Sequence, residues 1–338
     1  MKKVLFATTA LIATAGIASA EVSISGWAEM GIEKSSADQV GSGGAAVATA
    51  TIDDSKTRFF QDFNVKFSMS GTTDGGMTFG ANVELRDTNG YTGSNDDNGT
   101  DVYIKSAFGN LTLGNTDGAM DWAMSEVGVG SSINDTNTSH VGYNGDYGDG
   151  EYDGQILRYD NTFGDFGVAI SAELNDAPGV RNNGFAIGAK YGMDLGGTKV
   201  NFGLGYQTFE QGAAGATWRT GWLANDRINV TGISADANFN GIIAKVEYTK
   251  FNNSTTAAMD VTHTGIGLGY KMEALTLGAN WGKYDATNGG AVNDATGYGL
   301  SADYDLGGGA IVQAGYGASS LGGAPYTNNY SVGLRLNF

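Results

Sequence analysis

The stretch TRFFQDFNVKFSMSGTTDGGMTFGANVELR (Thr57–Arg86) consists of two alternating segments joined by a glycine-containing turn. In the first segment one face carries Phe59, Phe63, Val65, Phe67 and Met69, and the other carries Arg58, Asp62, Asn64, Lys66 and Ser68. A period of two predicts a β-strand with one apolar and one polar face. Glycine supplies the positive φ that the turn at Gly71–Gly76 needs. The stretch therefore predicts an antiparallel β-hairpin.

The same alternation recurs along the chain and predicts sixteen strands. Seven short connections alternate with eight longer ones, which a soluble β-sandwich or adhesin has no reason to do. A transmembrane barrel does, because its turns are short at one rim and its loops are long at the other. The predicted strands are Val22–Glu33, Thr57–Ser70, Met77–Arg86, Thr100–Phe108, Leu111–Gly114, Gln155–Thr162, Phe166–Asn175, Gly184–Tyr191, Lys199–Phe209, Ile228–Ala237, Ile242–Phe251, His263–Met272, Leu275–Tyr284, Thr296–Tyr304, Ala310–Ser319 and Asn328–Phe338.

The fold class is therefore all-β, a transmembrane antiparallel barrel forming one domain over residues 21–338. Charged groups in hydrocarbon are costly, so the apolar face should meet lipid and the polar face should line a lumen. Trp27 falls on the polar face, where the pattern gives it no role other than marking a bulge. The aromatic residues that should form an interfacial girdle are Tyr191, Tyr206, Tyr248, Tyr270, Trp281, Tyr298, Tyr304, Tyr316 and Tyr330.

Residues 1–20 have the pattern of a secretory signal peptide. Lys2 and Lys3 precede an apolar run from Val4 to Ala15, and Ala18–Ala20 provides small residues for cleavage before Glu21. The chain has no cysteine, so disulfides cannot stabilise it after export. Its formal net charge of −17 argues against a nucleic-acid partner, which selects a basic surface.

The segment Asn115–Gly154 is the third long connection, and it carries eight acids and no Lys or Arg. An uncovered connection of this length is usually functional or disordered, and we expect it to fold inward and narrow a pore. Within it, Asp117–Val127 predicts a short helix with Met120, Met124 and Val127 on one face, and Met120, Trp122 and Met124 are interpreted as packing the loop onto the wall.

The charged residues predict the chemistry of this constriction. The acids expected there are Asp117, Asp121, Glu126 and Asp135, and the opposing bases of the wall are Arg58, Lys66, Arg86 and Lys105. An excess of carboxylates predicts weak cation selectivity; the competing interpretation is a solvated acidic loop. No cofactor is required, although the composition makes calcium conceivable among Asp117, Asp121, Asp146 and Asp149.

Four segments resemble one family. FSMSGTTDGGMTFGANVEL (Phe67–Leu85), SAFGNLTLGNTDGA (Ser106–Ala119), YGLSADYDLGGGA (Tyr298–Ala310) and GLRLNF (Gly333–Phe338) are similar to the Gram-negative general diffusion porins, especially the alphaproteobacterial, Rhodobacter-type ones. The resemblance implies a homotrimer in the outer membrane, surrounded by lipid and lipopolysaccharide. It also implies a third loop in the lumen, passive diffusion of ions and small hydrophilic solutes, and Phe338 as the residue read by the assembly machinery.

Two other function classes were weighed. An enzyme would need a histidine beside a nucleophile or an acid, and the only histidines, His140 and His263, sit in no recognisable constellation. His263, at a strand start, is interpreted as a loop-edge residue, and no enzymatic activity is expected. The alternative function is a substrate-specific outer-membrane channel for a sugar or other nutrient, which would bind one solute saturably.

Overall fold

Sixteen antiparallel strands form one closed barrel in the computed structural model, with the first strand paired to the last. The structure describes residues 21–34, 56–87, 95–133, 140–145, 147–149, 155–174, 182–211, 222, 225–255, 260–287 and 294–338. The predicted signal segment 1–20, Asp135 and Asp146 lie outside these ranges. The predicted fold class is confirmed.

Seven tight turns alternate with eight longer connections around this barrel, as the sequence predicted. The strands are β1 Glu21–Lys34, β2 Arg58–Thr72, β3 Thr78–Asp87, β4 Asn95–Ser106, β5 Gly109–Gly114, β6 Ile156–Phe163, β7 Phe166–Glu173, β8 Gly184–Asp194, β9 Thr198–Glu210, β10 Arg227–Phe239, β11 Ile242–Asn253, β12 Asp260–Met272, β13 Leu275–Thr287, β14 Ala295–Gly307, β15 Ala310–Leu321 and β16 Thr327–Asn337. The helix α1, Ala119–Ala123, lies between β5 and β6. In the described part of the chain, no helix is long and apolar enough to cross a membrane.

Several strands are longer than the alternation predicted. The strand β4 begins at Asn95 rather than Thr100, because its ladder with β3 continues past the apolar part of the pattern. The turn after β4 is also displaced from the predicted Gly109-Asn110. Gly109, with a φ of +117°, is instead the first residue of β5 and pairs with Ser106.

The outer surface is apolar and carries the predicted aromatic girdle. Ile24, Ile170 and Leu268 point outward and are each more than half exposed. Tyr316 and Tyr330 are half-buried on the same outer face. The outward aromatic residues with 37–51% exposure are Tyr191, Tyr206, Tyr248, Tyr270, Trp281, Tyr298 and Tyr304. The outward direction of the girdle residues is therefore confirmed.

The inner surface is not polar throughout, which the alternation did not predict. On β9 to β14 it carries a buried apolar cluster near the rim of the long connections. This cluster exists because the chain between β5 and β6 covers the sector from inside, so apolar side chains there are removed from water. On β9 to β14 the wall residues of the cluster are Phe209, Ile228, Val230, Phe251, Val261, Tyr284 and Ala295, and Ala169 on β7 and Ala186 on β8 also belong to it.

Candidate functional site

The described part of Asn115–Gly154, which we call the inner loop, lies along the inside of the barrel wall. Hydroxyl groups of inward-facing serines bond its main chain at four successive places from β7 to β16. A buried backbone needs such partners because water cannot reach it. The contacts join Ala119 N to Ser171 Oγ at 2.9 Å, Ser125 N to Ser234 Oγ at 2.8 Å, Ser301 Oγ to Val129 O at 2.7 Å and Ser331 Oγ to Ile133 O at 3.0 Å.

Glycines on the inner wall let the loop come this close. A β-carbon built on Gly188 would overlap the carbonyl oxygen of Ala119, and one on Gly278 would overlap that of Val129. Glycine in the sequence was interpreted as a turn residue, and these wall glycines were not predicted. The signal that could have found them is present in GIGLGY (Gly265–Tyr270), where glycines occupy the inward register between outward apolar residues.

The predicted apolar contacts of the loop are present. Met120 and Val127 are fully buried, and Met124 is buried beside Gly232. The helix is shorter than predicted and ends at Ala123, because the main chain beyond it bonds the wall instead of itself. Lys190 holds the helix from β8: its Nζ lies 3.5 Å from the centroid of the Trp122 ring and donates to the Trp122 carbonyl at 3.2 Å.

The returning part of the loop is held by the only two histidines. The Gly142 N–H donates to His140 Nδ1 at 3.1 Å, and His263 Nε2 donates to the Gly142 carbonyl at 2.8 Å. His140 Nε2 in turn donates to Asn280 Oδ1 at 2.7 Å. These partners fix each ring as the Nε2–H tautomer when neutral. His263 is fully buried, so its interpretation as a loop-edge residue is wrong.

Acid should weaken this attachment through His140. Burial lowers its pKa to about 4, against about 6.5 in an unfolded chain, although its bond to Asn280 acts in the opposite direction. The unfolded chain therefore takes up the proton first. Neutral His140 contributes about 3 kcal/mol to the free energy of unfolding above pH 6.5, and this contribution is lost as the pH falls towards 4.

We expect the difference in unfolding free energy between the wild-type protein and His140→Asn to shrink over that pH interval. Chemical denaturation in detergent at pH 7.5, 5.5 and 4 measures it. A difference that stays constant across the three values would contradict the assignment of a buried neutral imidazole.

Two tyrosines connect the loop to carboxylates. The hydroxyl of Tyr143 donates to Glu126 Oε2 at 2.6 Å, and that of Tyr147 donates to Glu247 Oε2 on β11 at 2.5 Å. Burial, followed by these carboxylates, raises the pKa of both tyrosines well above the usual range, so both remain donors. Glu126, predicted as a constriction acid, therefore joins the two limbs of the loop.

An open cavity of about 400 Å³ lies between the inner loop and the wall of β2 to β4. It brings together the predicted residues Asp117, Asp121 and Lys66 and adds three acids that the site prediction did not include for the pore. Asp149 also accepts a hydrogen bond from the Gly118 N–H at 2.6 Å. The lining is Lys66, Glu84, Gly99, Asp101, Asn115, Thr116, Asp117, Asp121, Asp149 and Ile156.

The structure places the four predicted wall bases on the inner face, where three of them pair with acids of the wall itself. A base paired in this way is not available to balance the loop acids in full. The Nζ of Lys105 instead lies 4.4 Å from the centroid of the Tyr103 ring. The pairs are Arg58–Glu33 at 2.7 Å, Arg86–Asp62 at 2.7 Å and Lys66–Glu84 at 2.8 Å. These pairings depend on strand register and were not predicted from the sequence.

Calcium binding stays a prediction. Within the described ranges, no three His, Cys, Asp or Glu side chains form a group that could hold a metal ion. Asp117, Asp121 and Asp149 are among the residues described, and Asp146 is not.

Comparisons with known proteins agree with this geometry. A family model described as Gram-negative porin matches residues 7–324. A porin of Rhodobacter capsulatus is 28% identical over 272 residues, which are 76% of this chain and 86% of that protein. A porin structure refined at 1.8 Å resolution has a TM-score of 0.67 at 24% identity and covers 94% of this chain and 100% of its own. A loop-deletion mutant of OmpT from Vibrio cholerae has a TM-score of 0.66 at 14% identity and covers 94% of this chain and 99% of its own. At these identities the two structures show a shared fold alone.

Proposed function

The chain belongs to the Gram-negative porin family, and from this premise we propose that it is a general diffusion pore with a weak preference for cations. As a family member it is a channel protein of the outer membrane. The finer proposal is a water-filled passage for ions and small hydrophilic solutes, narrowed by the inner loop. That the protein has no enzymatic activity stays a prediction.

The charge of the cavity beside the inner loop supports the preference for cations. Five carboxylates line it, those of Glu84, Asp101, Asp117, Asp121 and Asp149, and Lys66 is the one basic residue in the same lining. Lys66 is paired with Glu84, which leaves four acids in excess. A cation passing through the cavity is attracted by this excess, and an anion is repelled.

The expected selectivity is modest. One unit charge about 8 Å from an ion contributes roughly 0.5 kcal/mol in a water-like medium. A few such charges, partly screened by salt, give about 1–2 kcal/mol. That amount produces a several-fold preference for potassium over chloride rather than an absolute filter.

The test is the reversal potential of the purified protein in a planar lipid bilayer. Under a tenfold gradient of potassium chloride, the sign of the potential should correspond to potassium crossing more readily than chloride. A potential of the opposite sign would show that the protein forms a pore but that the acidic constriction does not set its selectivity.

A substrate-specific channel remains the second candidate, and one observation favours it. Trp27 lies on the inner face of β1, where a passing solute can reach it. Saturation of the current by a single solute distinguishes the two functions, because a general pore conducts in proportion to concentration.

We propose that the protein assembles as a homotrimer through the outer face of β1 to β5. Among the described residues, the outward-facing Tyr and Trp all lie between β6 and β16, whereas Tyr103 and Trp27 point inward. Interfacial Tyr and Trp mark contact with lipid. The sector without them still exposes large apolar side chains, including Ile24, Phe59 and Phe63, and a neighbouring subunit would cover these.

Chemical cross-linking in mild detergent tests this contact. The double variant Ile24→Ala/Phe63→Ala should form fewer cross-linked trimers than the matched variant Phe202→Ala/Leu204→Ala on β9, whose residues are similarly exposed. Equal losses in the two variants would reject β1 to β5 as the contact. Binding of lipopolysaccharide and recognition of Phe338 by the assembly machinery stay predictions.

A further inference from the structure

Trp27 has arginine side chains on both sides of it in the barrel wall. The guanidinium carbon of Arg335, on β16, lies 4.4 Å from the centroid of the Trp27 ring, and that of Arg86, on β3, lies 5.1 Å from it. Both distances are within the range of a cation–π contact. The sequence pattern gave Trp27 no role, and the described contacts give its ring these two partners.

The acids that pair with these arginines lie behind them. Glu29 pairs with Arg335 at 2.8 Å and Asp62 pairs with Arg86 at 2.7 Å. The carboxylate side chains are only 2–3% exposed, whereas the arginine side chains are 26% and 29% exposed. Each pair is neutral as a whole, but its positive end faces the lumen. A solute therefore meets an aromatic ring flanked by two cations.

This cluster adjoins the cavity at the inner loop. Trp27 pairs with Asn64 on β2, and Asn64 pairs with Arg86 on β3, so the three residues form one row across the wall. Asn64 Nδ2 donates to Glu84 Oε2 at 3.1 Å, and Glu84 lines the cavity. The cluster is therefore connected through Asn64 and Glu84 to the lining of the cavity.

We propose that Trp27, Arg86 and Arg335 form a binding subsite for planar aromatic carboxylates passing through the pore. The two guanidinium groups lie over the indole ring, which holds them in place. Their other faces offer stacking surfaces to an aromatic ring, and their edges donate to a carboxylate. A small aliphatic carboxylate makes the charge contact without the stacking. The proposal rests on the protein being a pore. It identifies a class of solute that the pore retains, and saturable retention is the property that distinguishes the second candidate function, a substrate-specific channel, from a general pore.

The experiment is titration of the potassium current through single pores with benzoate. Benzoate should reduce the current saturably, whereas cyclohexanecarboxylate, which has the same charge and a non-planar ring, should not. Trp27→Leu should raise the half-blocking concentration of benzoate about tenfold, and Trp27→Phe should restore most of the block. Trp27 is the residue to replace because loss of either arginine would also remove an ion pair from a buried carboxylate.

The control is Trp281→Leu, which removes an outward-facing ring from β13 and should leave the benzoate block unchanged. The subsite is rejected if benzoate and cyclohexanecarboxylate act alike, or if Trp27→Leu and Trp27→Phe are both blocked like the wild-type pore. Because the current is recorded in potassium chloride first, a protein that forms no pore is distinguished from a pore that lacks the subsite.

Discussion

Replacing Asp117 and Asp121 together with lysine is expected to remove the cation preference of the pore. Both residues line the cavity at the inner loop, and the Asp117 side chain is 67% exposed there. The substitutions change the lining from five carboxylates and one ammonium group to three of each. With no excess charge left, the ratio of potassium to chloride permeability should fall several-fold to near one.

The inner loop should remain attached in this variant. Arg158 Nη1 donates to the main-chain carbonyl oxygen of Asp117 at 2.6 Å, and the substitution retains this carbonyl. The control is Asp74→Lys/Asp165→Lys, which makes the same change of charge at two exposed turns of the opposite rim. Its reversal potential should match that of the wild-type protein. An equal shift in both variants would show that net charge rather than the cavity sets the preference.

Substituting Arg335 with methionine is expected to destabilise the barrel by about 3–5 kcal/mol. Arg335 on β16 pairs with Glu29 on β1 at the closure of the barrel, and the Glu29 side chain is 3% exposed. Removing the arginine takes an ion pair away from a buried carboxylate, which is far more costly than losing an exposed pair. Denaturant unfolding in detergent, followed by circular dichroism, measures the loss.

Lys66→Met provides the matched comparison. Lys66 and Glu84 are paired at a similar distance, but their side chains are 36% and 29% exposed, so this substitution should cost less than about 1 kcal/mol. The double variant Arg335→Met/Glu29→Leu should recover part of the lost stability because it removes the buried charge as well. Similar losses for Arg335→Met and Lys66→Met would contradict the burial argument.

The barrel could be predicted from the sequence because lipid imposes a strict pattern on it. Each strand must present apolar residues to hydrocarbon at every second position, and on β2 the stretch from Asp62 to Ser70 shows that pattern, whereas Phe60 and Gln61 near its start do not. The strand ends were less predictable. Outside the hydrocarbon the ladder continues with polar residues, as in β4 from Asn95, and alternation no longer marks it.

The sequence indicated which segment lies at the pore, but not which wall residues it contacts. The length and acidity of Asn115–Gly154 indicated a loop at the pore, and Met120 and Val127 indicated its attachment to the wall. The partners on the wall come from strands distant in the sequence. The pairing of Arg86 with Asp62 depends on register, and the contact of Gly278 with Val129 depends on where the loop crosses β13. Neither follows from local pattern.

An engineered disulfide tests directly whether the inner loop lies against the inner wall of the barrel. A β-carbon on Gly205 of β9 would lie 3.0 Å from that of Met120. Disulfides join β-carbons roughly 3.5–4.5 Å apart, so the bond requires the loop to move away from the wall by about half an ångström. The chain has no cysteine of its own, so Met120→Cys/Gly205→Cys introduces a single pair. The control pairs Met120→Cys with Leu204→Cys, which faces outward. Mild oxidation should join the first pair nearly completely and leave the control free to react with a thiol reagent. Free thiols in both variants after oxidation would contradict a loop held against the inner wall.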